Sequence, residues 1–180
     1  MSVIKLIISD IDGTILDQKH QLDSHLLELM PLLKQSEIPF VLASARSPLG
    51  IAPISKELGI TDFPIASYNG ALISAGDKIL NQHTINKKEL LLLHDFLTKE
   101  FPTVSINVYS GKDWYVNTLD KWVEIEAQIT GESPKVTSLA DFLQEEKNLI
   151  HKLLLIDNAA TIQKLKETLA TMDFPQTDFY

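Results

Sequence analysis

Short apolar runs alternate with stripes at helical spacing along this chain. Val3 to Ser9 is apolar and rich in β-branched residues, which predicts a buried strand. Leu26, Leu27, Leu29, Met30 and Leu33 follow at the spacing of one helix face, with Asp23 or Ser24 as N-cap. Pro31 falls inside that pattern and is expected to bend or shorten the helix. Pro39 to Ala43 predicts a second buried strand. Ser47-Pro48 then opens a helix, as a cap followed by proline at the first helical position, and Gly59 closes it. Pro64 to Ser67 predicts a third strand. Strand, helix, strand, helix, strand in this order implies a parallel sheet with crossover helices.

Past residue 70 the pattern changes. Ala71 to Ser74 and Lys78 to Gln82 flank Ala75-Gly76-Asp77 as a hairpin. Lys87 to Phe101 is strongly helical. Ser105 to Tyr109 and Trp114 to Thr118, with Gly111 between them, predict a second hairpin. Helices are expected at Leu119 to Ile129, Leu139 to Glu146 and Ala159 to Met172, with a strand at Lys152 to Ile156. The division between the two patterns falls around Asn81 to Lys87.

Composition narrows the possibilities. A chain of 180 residues with 44% hydrophobic and 22% charged residues folds as a globule with a real core. Its net charge of -8 argues against a general nucleic-acid or anionic-membrane binder, because those surfaces concentrate Lys and Arg. A small phosphorylated metabolite stays compatible, since one pocket can be locally positive or hold a metal. With no cysteine, thiolate catalysis and disulfides are excluded. No stretch has the length of a membrane-spanning helix or the pattern of a signal peptide, so the expected location is cytoplasmic.

The chemistry concentrates in Asp10-Ile11-Asp12-Gly13-Thr14, at the carboxyl end of the first predicted strand. Ligands of open parallel sheets bind outside those ends. Two carboxylates there repel unless a cation compensates. Mg2+ suits such a pair, because it takes hard oxygen ligands and keeps several waters. Gly13 permits a sharp turn whose N–H groups can meet an anion. A plain acidic turn, or a fragment of a calcium loop, is the alternative. The remaining oxygen ligands and closing Glu of an EF-hand are missing, and the motif follows a strand rather than a helix.

IISDIDGTIL resembles the first motif of the haloacid dehalogenase-like superfamily. FVLASAR (Phe40 to Arg46) resembles the Thr-Gly-Arg motif of its Cof-like sugar-phosphatase branch, and SYNGALI (Ser67 to Ile73) that branch's Asn-Gly-Ala segment. The resemblance implies an α/β fold: a Rossmann-like parallel-sheet core in residues 1–82, with an inserted α/β cap domain in 83–180 that need not be complete. It implies a magnesium-dependent phosphomonoesterase of small phosphorylated metabolites. Asp10 would be the nucleophile that forms an aspartyl-phosphate, and Asp12 the general acid and base. Mg2+ would bind the Asp10 carboxylate and the Asp12 carbonyl. Gly13 and Thr14, Ser44 and Arg46, and Asn69 and Gly70 would surround the phosphate. Read without the family, Ser44 is equally a strand cap, Arg46 an exposed ion-pair partner, and Asn69-Gly70 a turn dipeptide. Ala45 stands where the motif has glycine, and its methyl takes room beside the phosphate.

The family's later Lys motif and its Gly-Asp-x-x-x-Asp acidic pair have no counterpart up to Tyr180. Lys152, Lys164 and Lys166 fall in cap-like segments and are poor substitutes. The chain is therefore expected to lack the C-terminal half of the core and to be impaired. The first strand should then lie at a sheet edge, where it invites self-association. A non-catalytic binder of a phosphorylated ligand or partner, and a phosphomutase, remain the alternatives. A receiver-like phosphorylation switch is disfavoured, because receivers carry their acceptor Asp on a later strand. The five histidines show no metal-ligand spacing, and Trp114, Tyr115 and Trp122 are expected mainly as packing residues.

Overall fold

The computed structural model describes residues 4–17, 19–177 and 179. The chain forms two compact units, Met1–His83 and Thr84–Tyr180.

The first unit contains β1 (Ile7–Ser9), α1 (Ser24–Gln35), β2 (Phe40–Ala43), α2 (Pro48–Glu57), β3 (Ile65–Ser67), β4 (Leu72–Ala75) and β5 (Lys78–Gln82). A single turn of 3₁₀ helix, Tyr68–Gly70, joins β3 to β4. The five strands lie in the order β1-β2-β3-β4-β5. The first three are parallel, and β4 and β5 run antiparallel as a hairpin. Asp23 starts α1 by accepting from the Leu26 N–H at 3.0 Å, and Ser47 starts α2 by accepting from Gly50 at 2.9 Å. Each such cap satisfies an N–H that the helix cannot, a contribution of about 1 kcal/mol.

Two expectations need correction. α1 runs for 12 residues straight through Pro31. Pro31 lies on the exposed side, where the carbonyl it leaves unbonded can meet water. β1 is shorter than the apolar run suggested. Its ladder starts at Ile7 opposite Phe40, because the preceding residue on β2's side is Pro39, which has no N–H to extend the pairing. Val3 lies outside the described residues.

The register sorts side chains into two faces. Ile7, Phe40, Leu42 and Ile65 share one face and pack with Met30 of α1 and Ile51 and Ile54 of α2. Ile8, Val41, Ala43, Ala66 and Ile73 share the other, and none of them is buried. Among the described residues β1 has a strand neighbour on its β2 side alone. Ile4 and Ile8 are each 62% exposed and Leu6 50%.

The second unit contains α3 (Lys87–Glu100), β6 (Ser105–Ser110), β7 (Asp113–Val116), α4 (Lys121–Thr130), β8 (Lys135–Val136), α5 (Leu139–Gln144), β9 (Lys152–Ile156) and α6 (Ala159–Leu169). Its sheet has the order β8-β7-β6-β9. Leu93 and Leu97 of α3 pack with Leu165 and Leu169 of α6 in one cluster. Leu90 packs with Leu139 and Leu143 of α5 in another. Trp114 is 2% exposed, and its indole N–H donates to the Asn107 side chain at 3.0 Å. It is a core residue. Tyr115 stacks on Phe142, with ring centroids 4.2 Å apart. β8 has only two residues, both exposed, and no periodicity announced it.

Candidate functional site

All eight residues singled out by sequence belong to the first unit and follow the carboxyl ends of β1, β2 and β3. Asp10 comes directly after β1. The chain then turns tightly, with the N–H groups of Thr14, Ile15 and Leu16 converging on the Ile11 carbonyl at 3.3, 3.1 and 3.1 Å. Gly13 adopts φ 75°, the left-handed region that this turn needs. Ile11 and Ile15 are buried and anchor the turn, so the exposed Asp10 and Asp12 are held on the outside of a fixed loop. Thr14 Oγ1 lies 3.5 Å from Asp10 Oδ2, a long contact.

Ser44 follows β2 and is buried at 4% exposure. Its N–H donates to Ala66 O of β3 at 2.9 Å, and its hydroxyl accepts from the Arg46 N–H at 3.2 Å. Ser44 is therefore more than a strand cap, because it also fixes the start of the Arg46 loop. Arg46 reaches back to the first loop and grips Asp12 with two bonds, Nε to Oδ2 at 2.9 Å and Nη2 to Oδ1 at 2.6 Å. This bidentate geometry holds the Asp12 carboxyl below the ordinary aspartate range, with the Arg46 hydrogen bonds as the largest cause.

Asn69 and Gly70 occupy the 3₁₀ turn after β3. The Asn69 N–H donates to Ser44 O at 2.9 Å, and the Tyr68 N–H to Arg46 O at 3.1 Å. Sequence reasoning passed over Tyr68. It is 5% exposed and has φ 54°, a conformation rare for an aromatic residue. No sequence signal marked it, since an aromatic residue before Asn-Gly normally just ends a strand.

The oxygens of Asp10 and the Asp12 carbonyl are hard donors of the kind Mg2+ takes. Among the described residues no group of three His, Cys, Asp or Glu side chains forms a metal cluster. A cation here would therefore rest on the Asp10 carboxylate, a backbone carbonyl and water, a donor set Mg2+ accepts. His151 is 7% exposed, and its Nδ1 accepts from the Gly111 N–H at 3.1 Å.

Comparison with known proteins bears on the family and the fold. A family model described as haloacid dehalogenase-like hydrolase matches residues 7–178. A Haemophilus influenzae protein named "Putative phosphatase" is 31% identical over 179 residues, which cover 95% of this chain and 63% of that protein. Phosphatase YwpJ of Bacillus subtilis is 36% identical over 101 residues, 54% of this chain and 34% of its own length. The crystal structure of a haloacid dehalogenase-like hydrolase from Bacteroides thetaiotaomicron superposes with a TM-score of 0.79 at 26% identity, covering 94% of this chain and 64% of that one. A Thermotoga maritima structure shares the fold, with a TM-score of 0.81 at 20% identity over 93% of this chain and 62% of that one. The chain thus spans a little under two thirds of the length of the Haemophilus influenzae, Bacteroides thetaiotaomicron and Thermotoga maritima relatives. No helix among the described residues is long and apolar enough to cross a membrane. Three loops at the carboxyl ends of a parallel sheet, an acidic pair on the first and the matched family model lead to one assignment: this chain belongs to the haloacid dehalogenase-like hydrolase family.

Proposed function

We propose that this chain carries the nucleophile side of a magnesium-dependent phosphomonoesterase for small phosphorylated metabolites. The observation that carries the reading is the meeting of Asp12 with Arg46 across 34 positions of sequence, beside Asp10 at the end of β1. A carboxylate nucleophile, a second carboxyl group and an arginine at one sheet end form a phosphoryl-transfer constellation.

An Asp10 oxygen attacks phosphorus in line. The bond from phosphorus to the leaving oxygen breaks, and Asp12 gives that oxygen its proton. Water then attacks the aspartyl-phosphate, Asp12 takes the proton, and inorganic phosphate and free Asp10 result. Arg46 is shared between two duties. On Asp12 it keeps the carboxyl ionised. When it turns to the phosphate oxygens it balances their charge and frees Asp12 to hold the transferable proton. Mg2+ would be held by the Asp10 carboxylate and the Asp12 carbonyl, and when bound would supply further charge neutralisation at the phosphoryl group. Gly13, Thr14 and Ser44 supply N–H and hydroxyl donors. Residues 83–180 act as the cap domain, and the protein works in the cytoplasm.

A phosphorylated-ligand binder without turnover is the second reading. Release of phosphate from p-nitrophenyl phosphate with Mg2+, and without an acceptor alcohol, separates these readings and also excludes a phosphomutase that needs an acceptor. Turnover that falls to background in Asp10→Asn supports the aspartyl-phosphate route, and full activity in that variant refutes it. Asp12→Asn should be equally damaging and trap the phosphoenzyme, visible as a mass increase on the intact chain.

A further inference from the structure

Tyr68, Asn69 and Gly70 stand in succession at φ 54°, 56° and 91°. Three left-handed residues in a row, two of them not glycine, are unfavourable for L-residues and persist only where surrounding contacts enforce them. Here those contacts are visible. Tyr68 is buried, and the N–H groups of Tyr68 and Asn69 donate to the carbonyls of Arg46 and Ser44. These two carbonyls flank Ala45. The turn after β3 therefore holds the loop after β2 from behind, at the two residues whose side chains serve the site. Asn69 itself is exposed, and no side-chain hydrogen bond of Asn69 occurs among the described residues. Its attachment to the site runs through its backbone N–H.

We propose that Asn69 is a positioning residue. Its left-handed backbone, rather than its side-chain amide, fixes the Ser44–Arg46 loop so that Arg46 meets Asp12. Asparagine is suited to this because it tolerates the left-handed region better than other residues with a β-carbon. The consequence for phosphate binding rests on the phosphatase reading above; the positioning itself does not.

The test uses the full chain labelled with 15N and three variants. Asn69→Gly and Asn69→Asp remove the amide but tolerate the left-handed backbone. Asn69→Ala removes the amide and disfavours that backbone by roughly tenfold. The expected result is that the glycine and aspartate variants keep the wild-type amide shifts of residues 44–46 and the Arg46 Nε–H signal. The alanine variant should shift all of these and exchange its residue-69 amide roughly tenfold faster. Equal disturbance by all three variants would assign the role to the amide and overturn the proposal. No disturbance by alanine would overturn it as well. A separate titration with inorganic phosphate addresses the phosphatase reading. If phosphate leaves the wild-type Ser44 and Arg46 signals unmoved, that reading falls, while the variant comparison still decides the positioning role.

Discussion

Arg46 grips Asp12 through both of its carboxylate oxygens, at 2.9 and 2.6 Å, and so ties the loop after β2 to the loop after β1. The pair is partly exposed, with side-chain accessibilities of 32% for Arg46 and 50% for Asp12. Water and salt screen it, and its worth is correspondingly modest. Its weight lies in geometry, because a forked guanidinium fixes orientation as well as charge.

The pair should show in the pH dependence of stability. Asp12 has its pKa lowered in the folded state, first by the Arg46 hydrogen bonds. The stabilisation is therefore present above the ordinary aspartate value of 3.8 and is lost as pH falls through the lower folded value. Arg46→Gln should lower stability by about 0.5–1 kcal/mol at neutral pH after allowance for screening. The difference from wild type should vanish at strongly acidic pH. Urea unfolding at a series of pH values measures this, and an undiminished difference in acid would contradict the assignment.

His151 gives a second handle, at milder pH. Burial lowers its pKa, and its Nδ1 accepts from the Gly111 N–H, which a protonated ring cannot do. The unfolded chain then takes up a proton near pH 6.5 before the folded chain does, so stability falls as pH drops below that value. His151→Gln should flatten that part of the profile between pH 7 and 5. Thermal melts across this range test it.

Asn107 should be the costliest polar residue of the second unit. It is fully buried. Its Nδ2 donates to Ser105 O, Ser105 Oγ and Leu154 O at 3.3, 3.3 and 3.2 Å, and its Oδ1 accepts from the Trp114 indole. Asn107→Ala leaves the indole N–H unsatisfied beside a cavity, at a cost of about 2–4 kcal/mol. Trp114→Phe removes the donor with less volume and should cost about half as much. Denaturant midpoints followed by tryptophan fluorescence and circular dichroism compare the two.

The open edge of β1 predicts self-association. Parallel sheets are ordinarily covered on both faces, yet Ile4, Leu6 and Ile8 stand exposed at an edge with no second strand neighbour among the described residues. A second copy paired antiparallel about Leu6 aligns Ile4 with Ile8 and brings Lys5 of each copy toward the Asp10 end of the other. A parallel pairing would stack like charges instead. The chain alone should scatter light as a dimer or larger species, and Leu6→Lys should return it to a monomer. A monodisperse wild-type monomer with strongly protected amides at residues 4–8 would defeat the prediction.

The local sequence determined much of this. The apolar runs gave β2 and β3 to within one residue of their bounds, because a buried strand needs contiguous apolar side chains. Asp23-Ser24 and Ser47-Pro48 announced the two helix starts, with Asp23 the cap of the first, because a cap acts within three residues of itself. DIDGT placed an acidic pair after a strand for the same reason. The tertiary structure alone decided what depends on distant partners. Nothing near Arg46 in sequence indicated that it would choose Asp12, 34 positions away. β8 exists only because Tyr115 and Val116 offer it a ladder. Pro39 ended the β1 pairing from the neighbouring strand. Tyr68 could take a left-handed conformation only once the loop after β2 was there to receive its N–H and that of Asn69. Periodicity and capping are written in neighbouring residues, whereas ion pairs, edge pairing and enforced strain arise from contacts that form when remote segments meet.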